Sequence, residues 1–146
     1  MSMRRRLRRR DERGVAAVEF ALIAPLLFML IFGIISFGLA WSEKNVYVGA
    51  AREGARYAAV KCAPDATICT TNLIKARITG AAVGYPVDLN TFSVTIGDPP
   101  AAAVDCGATG ASGQPITVQW TQPIQLDIPF IPINLNVPIE AVFRCE

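Results

Sequence analysis

The amino-acid sequence predicts an α+β fold: a long N-terminal transmembrane helix that extends into a small exported domain with a short second helix and a three- or four-stranded antiparallel sheet. Three observations lead to this prediction. Residues 15–41 are almost entirely apolar and contain one ionisable side chain, Glu19. Residues 42–61 are rich in alanine and contain no proline, so the helix can continue through them. Most of the later chain alternates apolar and polar residues, the pattern of half-buried strands.

The apolar segment 15–41 is long enough to cross a bilayer. As a helix it would reach about 40 Å, whereas the hydrocarbon core of a bilayer is about 30 Å thick. Apolar residues make up 52% of the 146-residue chain, and most of the excess lies in this segment. Within it, Ser36 and Ala40 have the spacing of small residues at close helix contacts. Trp41 and Tyr47 are expected as aromatic anchors at the outer interface.

The charges predict the orientation of this helix. Residues 1–14 form a basic leader with seven arginines and two acidic residues, whereas the rest of the chain has seven basic and ten acidic residues. An arginine run can indicate nucleic-acid binding, but beside a membrane span the positive-inside rule explains it more simply. We therefore expect a single-pass protein of the inner membrane with a cytoplasmic N-terminus, a periplasmic or extracellular domain, and no nucleic-acid partner.

The exported domain, residues 62–146, is predicted to contain one helix and three or four strands. Thr70 or Thr71 can cap the helix. Apolar residues then alternate in four runs, at about 92–96, 116–120, 124–128 and 135–143. The third run lies between prolines, which favours an edge strand or an extended segment. The stretch 97–115 is rich in Gly, Ala and Pro and predicts a loop.

The extracytoplasmic continuation of the long helix, residues 42–61, is the expected cover for one face of the sheet. Gly49 and Gly54 make this stretch marginal as an isolated helix, and a small sheet with an apolar face needs a partner layer. Burying Val46, Ala50 and Tyr57 against the sheet would meet both needs.

Four cysteines, Cys62, Cys69, Cys106 and Cys145, lie on the predicted exported side. An even number of cysteines in an oxidising compartment favours two disulfides. The chain has no histidine and no C-x-x-C pair, which argues against a zinc site. Of the three pairings that four cysteines allow, we favour Cys62–Cys69 with Cys106–Cys145.

The junction between leader and span reads Arg13-Gly14-Val15-Ala16-Ala17-Val18-Glu19-Phe20. A basic leader ends at a glycine, an apolar segment begins at Val15, and a lone glutamate lies five residues beyond the glycine. This arrangement resembles prepilin processing sites, where a membrane aspartic peptidase cuts after the glycine. The apolar segment then stays on the mature protein as an assembly helix.

Further residues extend this resemblance: the run Val18-Glu19-Phe20-Ala21-Leu22-Ile23-Ala24-Pro25, then Gly33, then the run Ala51-Arg52-Glu53-Gly54-Ala55-Arg56-Tyr57-Ala58. Together they look like the TadE-like family of tight-adherence (Flp-type) pilus systems, over about residues 13–60. The resemblance implies a pseudopilin with assembly residues Glu19, Phe20 and Pro25. It also implies three kinds of partner: a prepilin peptidase, other pilin or pseudopilin subunits, and the pilus assembly machinery.

Physical chemistry supports a special role for Glu19. A carboxylate in hydrocarbon costs a few kcal/mol even on lenient insertion scales. After cleavage, Val15 would carry a free amino group, and a neighbouring subunit offset along a fibre could present that group to Glu19. The alternative is an interfacial glutamate that is favoured by the helix N-terminus.

Nothing in the sequence indicates catalysis. Without histidine the usual Ser-His and Cys-His pairs are excluded, and no phosphate loop, dinucleotide fingerprint or metal-ligand cluster is found. We therefore expect no enzyme, no cofactor and no small-molecule substrate. Two alternatives to a pseudopilin stay open: a binding module released by signal peptidase near Ala40, and an uncleaved accessory subunit of another envelope complex. The mature N-terminal residue distinguishes the three, as Val15, Trp41 or Met1.

Overall fold

The long helix α1 extends further toward the N-terminus than the sequence predicts. The structure, a computed structural model, describes residues 3–61, 70–102, 106, 111–128 and 131–146. α1 runs from Met3 to Lys61 and passes through Pro25 without interruption. The span predicted from residue 15 lies within this helix, and α1 also includes the arginine-rich leader, which has good helix propensity and no glycine or proline before Gly14.

The exported domain adds one helix and four strands: α2 (Thr71–Ala81), β1 (Ser93–Ile96), β2 (Ala101–Ala102), β3 (Pro115–Ile128) and β4 (Ile131–Arg144). The strands form one antiparallel sheet in the order β2–β1–β3–β4. The predicted α+β class is confirmed. The short strand β2 lies inside the predicted loop 97–115, which is therefore not entirely a loop.

β3 and β4 form a long hairpin that the sequence analysis divides into shorter pieces. The runs 116–120 and 124–128 belong to one strand, paired with β4 from Pro115↔Arg144 to Ile128↔Ile131. Of the residues of β3, only 116–119 pair with β1. Pro123 therefore lies where β3 has a single neighbour, and a strand tolerates proline at such an edge.

α1 covers one face of this hairpin, which we call the inner face. Along β3 every even-numbered residue from Ile116 to Leu126 is buried, while the odd-numbered ones are half-buried or exposed. α1 packs against both β3 and β4, and Tyr47, Ala50, Val118 and Ile139 belong to one core cluster. The expected cover of the sheet by the second half of α1 is thus seen in the structure.

α2 packs on α1. It begins after Thr70, whose side chain makes no capping hydrogen bond; the carbonyl oxygen of Thr70 accepts from the backbone N–H of Leu73 at 2.9 Å. Ile74 and Ile78 are fully buried. A Cβ added at Gly54 would lie 2.5 Å from Cγ1 of Ile78, so this glycine allows α2 to approach α1.

A disulfide closes the C-terminal end of the domain. Cys106 and Cys145, both buried, are bonded, and this is the longer of the two bridges that the sequence analysis favours. It closes a loop of 39 residues between the segment after β2 and the end of β4. Loop-closure entropy sets an upper guide of about 4 kcal/mol for its contribution. The other favoured pair, Cys62–Cys69, lies outside the described residues.

Two glycines of α1 provide a test of the α1–α2 contact. Gly49→Ala should raise the unfolding temperature, because a Cβ there meets nothing within 4 Å and alanine favours the helix by about 1 kcal/mol. Gly54→Ala gains the same propensity but overpacks Ile78, at a cost of about 1–3 kcal/mol. We expect Gly54→Ala to unfold at a lower temperature than Gly49→Ala, measured by circular dichroism of the full chain in detergent.

The double variant Gly54→Ala with Ile78→Val separates overpacking from other effects. Removing a methyl group at the point of contact should recover part of the loss if the two side chains collide. Equal unfolding temperatures for Gly49→Ala and Gly54→Ala would contradict the close approach of α2.

Candidate functional site

Most of the apolar surface of α1 lies outside the protein core. A segment within Gly14–Val60 is long and apolar enough to cross a membrane, with a mean hydropathy of 2.6, and only 6% of it is buried in the protein. Val15, Phe20 and Leu26 are 58%, 67% and 72% exposed. This one N-terminal helix is consistent with single-pass membrane anchoring.

The predicted processing residues Gly14 and Val15 are accessible. A Cβ added at Gly14 would meet nothing within 4 Å in the described part of the chain. Packing within the chain therefore gives no reason for a glycine at this position, in contrast to Gly54. In the uncleaved chain the nitrogen of Val15 is a peptide nitrogen inside α1, so it offers no charged amine.

The three predicted assembly residues, Glu19, Phe20 and Pro25, follow on the same helix. Together with Gly14 and Val15 they occupy about 17 Å of its axis. The Glu19 side chain is exposed and forms no salt bridge with any side chain that the structure describes. The core cluster of the described residues reaches along α1 only as far as Ala40, so these residues lie outside it.

Aromatic and basic side chains mark the outer end of the apolar segment. The rings of Phe37 and Trp41 stack with centroids 6.2 Å apart, and the Lys44 ammonium lies 5.5 Å from the centre of the Trp41 ring. Aromatic rings followed by a lysine suit the boundary between lipid and water. Tyr47 was expected to be part of this belt, but it is not. Its side chain is fully buried where α1 packs on the sheet.

Ser36 and Ala40 face the domain of their own chain. The Ser36 hydroxyl donates a hydrogen bond of 2.6 Å to the carbonyl oxygen of Asp127, near the tip of the β3–β4 hairpin. Ala40 packs at the edge of the core cluster. The small-residue spacing therefore accommodates a hairpin, whereas the sequence analysis considers only a second helix. Reading β3 as one continuous strand through Pro123 would have indicated that the hairpin reaches this far.

Tyr47 ties α1 to the segment that follows α2. Its hydroxyl lies 2.8 Å from a Glu43 carboxylate oxygen and 2.9 Å from the Pro86 carbonyl oxygen, so it can donate to either. Burial raises the pKa of the Tyr47 phenol well above its ordinary value of 10.0, and the Glu43 carboxylate raises it further. The phenol therefore stays protonated as a donor.

Gln122 is a buried polar residue whose side chain forms three hydrogen bonds. Its amide nitrogen donates to the Pro86 carbonyl oxygen at 3.1 Å. Its amide oxygen accepts from the Trp120 indole at 3.1 Å and from the Asp88 backbone N–H at 3.0 Å. With Tyr47 it connects α1, residues 86–88 and β3, and this fixes the position of the domain on the helix. The sequence does not predict this network, because a polar residue in an alternating run is expected on the outer face.

The alanine- and arginine-rich motif at residues 51–56 divides into buried and exposed parts. Ala51 and Ala55 are fully buried. Arg56 and Glu53 form an exposed ion pair at 3.5 Å, a kind that contributes little to stability. The small residues therefore build the core, and the Arg56–Glu53 pair lies on its surface.

One comparison with known proteins gives a match, and it falls on the long helix. Residues 14–56 match the family model described as TadE-like protein. The match begins at Gly14 and ends at Arg56, so it covers the apolar segment and its alanine-rich continuation but not α2 or the sheet. Comparisons with curated proteins and with solved structures give no match.

The protonated Tyr47 predicts a stability that depends on pH. In the unfolded chain the Tyr47 phenol ionises with a pKa near 10.0, whereas in the folded chain it stays protonated at that pH. Unfolding at a pH above this value therefore releases a proton. The contribution of Tyr47 is fully present below pH 10 and decreases as pH rises above it. Unfolding temperatures of the full chain in detergent should therefore fall more steeply above about pH 10 for the wild type than for Tyr47→Phe. If the two plots of unfolding temperature against pH were parallel, the Tyr47 phenol would ionise equally in the folded and unfolded chains, which would contradict the prediction.

Proposed function

We propose that this chain, whose residues 14–56 are TadE-like, is a membrane-anchored pseudopilin that acts in the assembly of a tight-adherence type pilus. The observation that carries the proposal is Glu19, an exposed carboxylate on an apolar helix that has no ion partner among the described side chains. Such a charge is costly in lipid, and a group on a neighbouring subunit would stabilise it in the working state. The family match relates the same helix to the Tad pilus.

A prepilin peptidase would process the chain after Gly14. Gly14 is exposed, has no packing role in the described structure, and follows the arginines that hold this end of α1 at the cytoplasmic face. A glycine at the membrane edge gives a peptidase access to the backbone. Cleavage there would convert the Val15 peptide nitrogen into a free amine.

The new amine supplies the partner that Glu19 lacks. A second subunit displaced by about one helical turn along the axis would bring its Val15 amine level with Glu19. The salt bridge would neutralise both charges within lipid and set the axial register between subunits. Phe20 is exposed beside Glu19 and would pack on the same neighbour, and Pro25 would adjust the path of the helix.

The exported domain would lie outside the inner membrane. The Cys106–Cys145 disulfide supports this location, since such bonds persist in oxidising compartments. Release by signal peptidase after Ala40 is disfavoured because it would remove Ser36 and its hydrogen bond to the hairpin. The leader, in turn, would remain in the cytoplasm until the peptidase removes it.

Processing is tested by a matched pair of glycine variants. Gly14→Leu should retain the leader in cells that contain the peptidase, because a bulky side chain would block the cut. Gly38→Leu is the control: it is also exposed with nothing within 4 Å, and it should mature to Val15 like the wild type. Intact-mass measurement of the purified chain gives the N-terminal residue. A Gly14→Leu chain that still begins at Val15, or a wild type that begins at Trp41 or Met1, would contradict the assignment.

Assembly is tested at Glu19. Glu19→Ala should insert and mature normally, since an intramembrane charge is removed, but it should fail to support pilus formation because the register contact is lost. Val18→Ala, at an adjacent exposed position, should leave piliation near the wild-type level. The measurement is the amount of sheared pili together with the mature mass. Normal piliation by Glu19→Ala would instead favour an interfacial glutamate without an assembly role.

A further inference from the structure

The β3–β4 hairpin is long enough to reach the membrane. Its strands have 14 residues each and extend about 45 Å, whereas residues 42–61 of α1 extend about 30 Å. The hairpin therefore passes the outer end of the predicted span. The hydrogen bond from Ser36 to Asp127 fixes the level of its tip within residues 15–41.

The position of the Ser36–Asp127 contact along α1 coincides with the outer edge of the hydrocarbon core. Ser36 lies 21 residues after Val15, or about 31 Å along the axis, and a typical hydrocarbon core is about 30 Å thick. The arginine leader holds Val15 at the inner boundary, which places Ser36 at the outer one. Phe37 and Trp41, with Lys44 above them, mark the same boundary.

An apolar strip of β4, made of Ile131, Ile133 and Leu135, lies open at this level. Its side chains share the inner face with their cross-strand partners on β3. The β3 partners Ile124 and Leu126 are only 3% and 9% exposed. On β4, by contrast, Ile131 is 50%, Ile133 39% and Leu135 43% exposed. α1 therefore covers β3 and leaves this end of β4 uncovered.

The outer face of the hairpin tip is polar by contrast. Asp127, Asn134 and Asn136 alternate with the strip residues and their partners, and Asp127 and Asn134 are exposed. The segment 128–139 contains no charged residue. A structure with one apolar and one polar face, held at the edge of the hydrocarbon, suits the interfacial layer of a bilayer.

We propose that the apolar strip rests in the outer-leaflet interface, so that the exported domain has a second contact with lipid beside α1. The inference rests on the membrane anchoring in the proposed function. Lipid is the occupant that the geometry favours, because Ser36, which fixes the level of the hairpin tip, lies within the apolar and largely unburied segment of α1. This contact holds the domain against the membrane at a fixed angle, since both the helix and the hairpin are anchored. Leaving the membrane would then require both contacts to be replaced.

Tryptophan quenching tests this contact in the full chain. The chain is placed in vesicles of phosphatidylethanolamine and phosphatidylglycerol whose acyl chains are brominated near the headgroup. Ile133→Trp places an indole on the apolar strip, and Asn134→Trp places one on the polar face next to it. We expect the emission added by Ile133→Trp to be quenched at least about twofold more than that of Asn134→Trp, because neighbouring residues point to opposite faces. Leu135→Trp with Asn136→Trp repeats the comparison one pair further along.

The wild type has two tryptophans, and Trp120 is buried in the core, so quenching of the wild-type emission reports on the exposed Trp41. This readout separates failure of the inference from failure of its premise. If Trp41 is quenched but Ile133→Trp and Leu135→Trp are quenched no more than their controls, the strip does not contact lipid and the inference is overturned while anchoring stands. If Trp41 is not quenched, α1 does not span the bilayer, and the proposed function and the inference fail together. A change in Ile133→Trp emission that follows protein concentration instead of bromination would assign the strip to a second copy and also overturn the inference. Mapping of the Cys106–Cys145 disulfide confirms that each variant is folded.

Discussion

The packing of α1 against the β3–β4 hairpin is the contact on which the rest of the structure depends. α1 is one helix with two kinds of surface, exposed apolar side chains in its first half and a row of buried alanines in its second. The buried residues of the hairpin share one core cluster with these alanines. α2, the Gln122 network and the disulfide then fix the position of a domain that already rests on the helix.

This contact also explains why the membrane helix is more than a tether. Ser36 and Ala40 lie within the apolar segment and still contact the exported domain. The connection between α1 and the sheet is therefore made by packed side chains and a hydrogen bond. For a subunit that would pass from a membrane into a fibre, such a connection keeps the orientation of the domain relative to the helix.

The glycines of α1 occur for different physical reasons. Gly54 is explained within the chain, because Ile78 occupies the space of its missing Cβ. Gly14 has no such explanation in the described structure, and Glu19 has no ion partner there. Residues that the fold accounts for can thus be separated from residues that point to partners. In this chain the second group lies at the start of the TadE-like match.

The sequence by itself determined the elements whose signal is local: the apolar length of α1, the presence of α2 after Thr70 or Thr71, the alternation in the strands, and the Gly14–Glu19 pattern. It also indicated the helix as the cover of the sheet, because neither layer is stable alone. Only the tertiary structure decided that two strand runs form one strand through Pro123, that Tyr47 is buried, and that Ser36 contacts Asp127. These depend on residues up to 91 positions apart, and such contacts leave no periodic trace in either segment. The polar residue Gln122 on an apolar face is the clearest case, since its partners come from elements that the sequence separates.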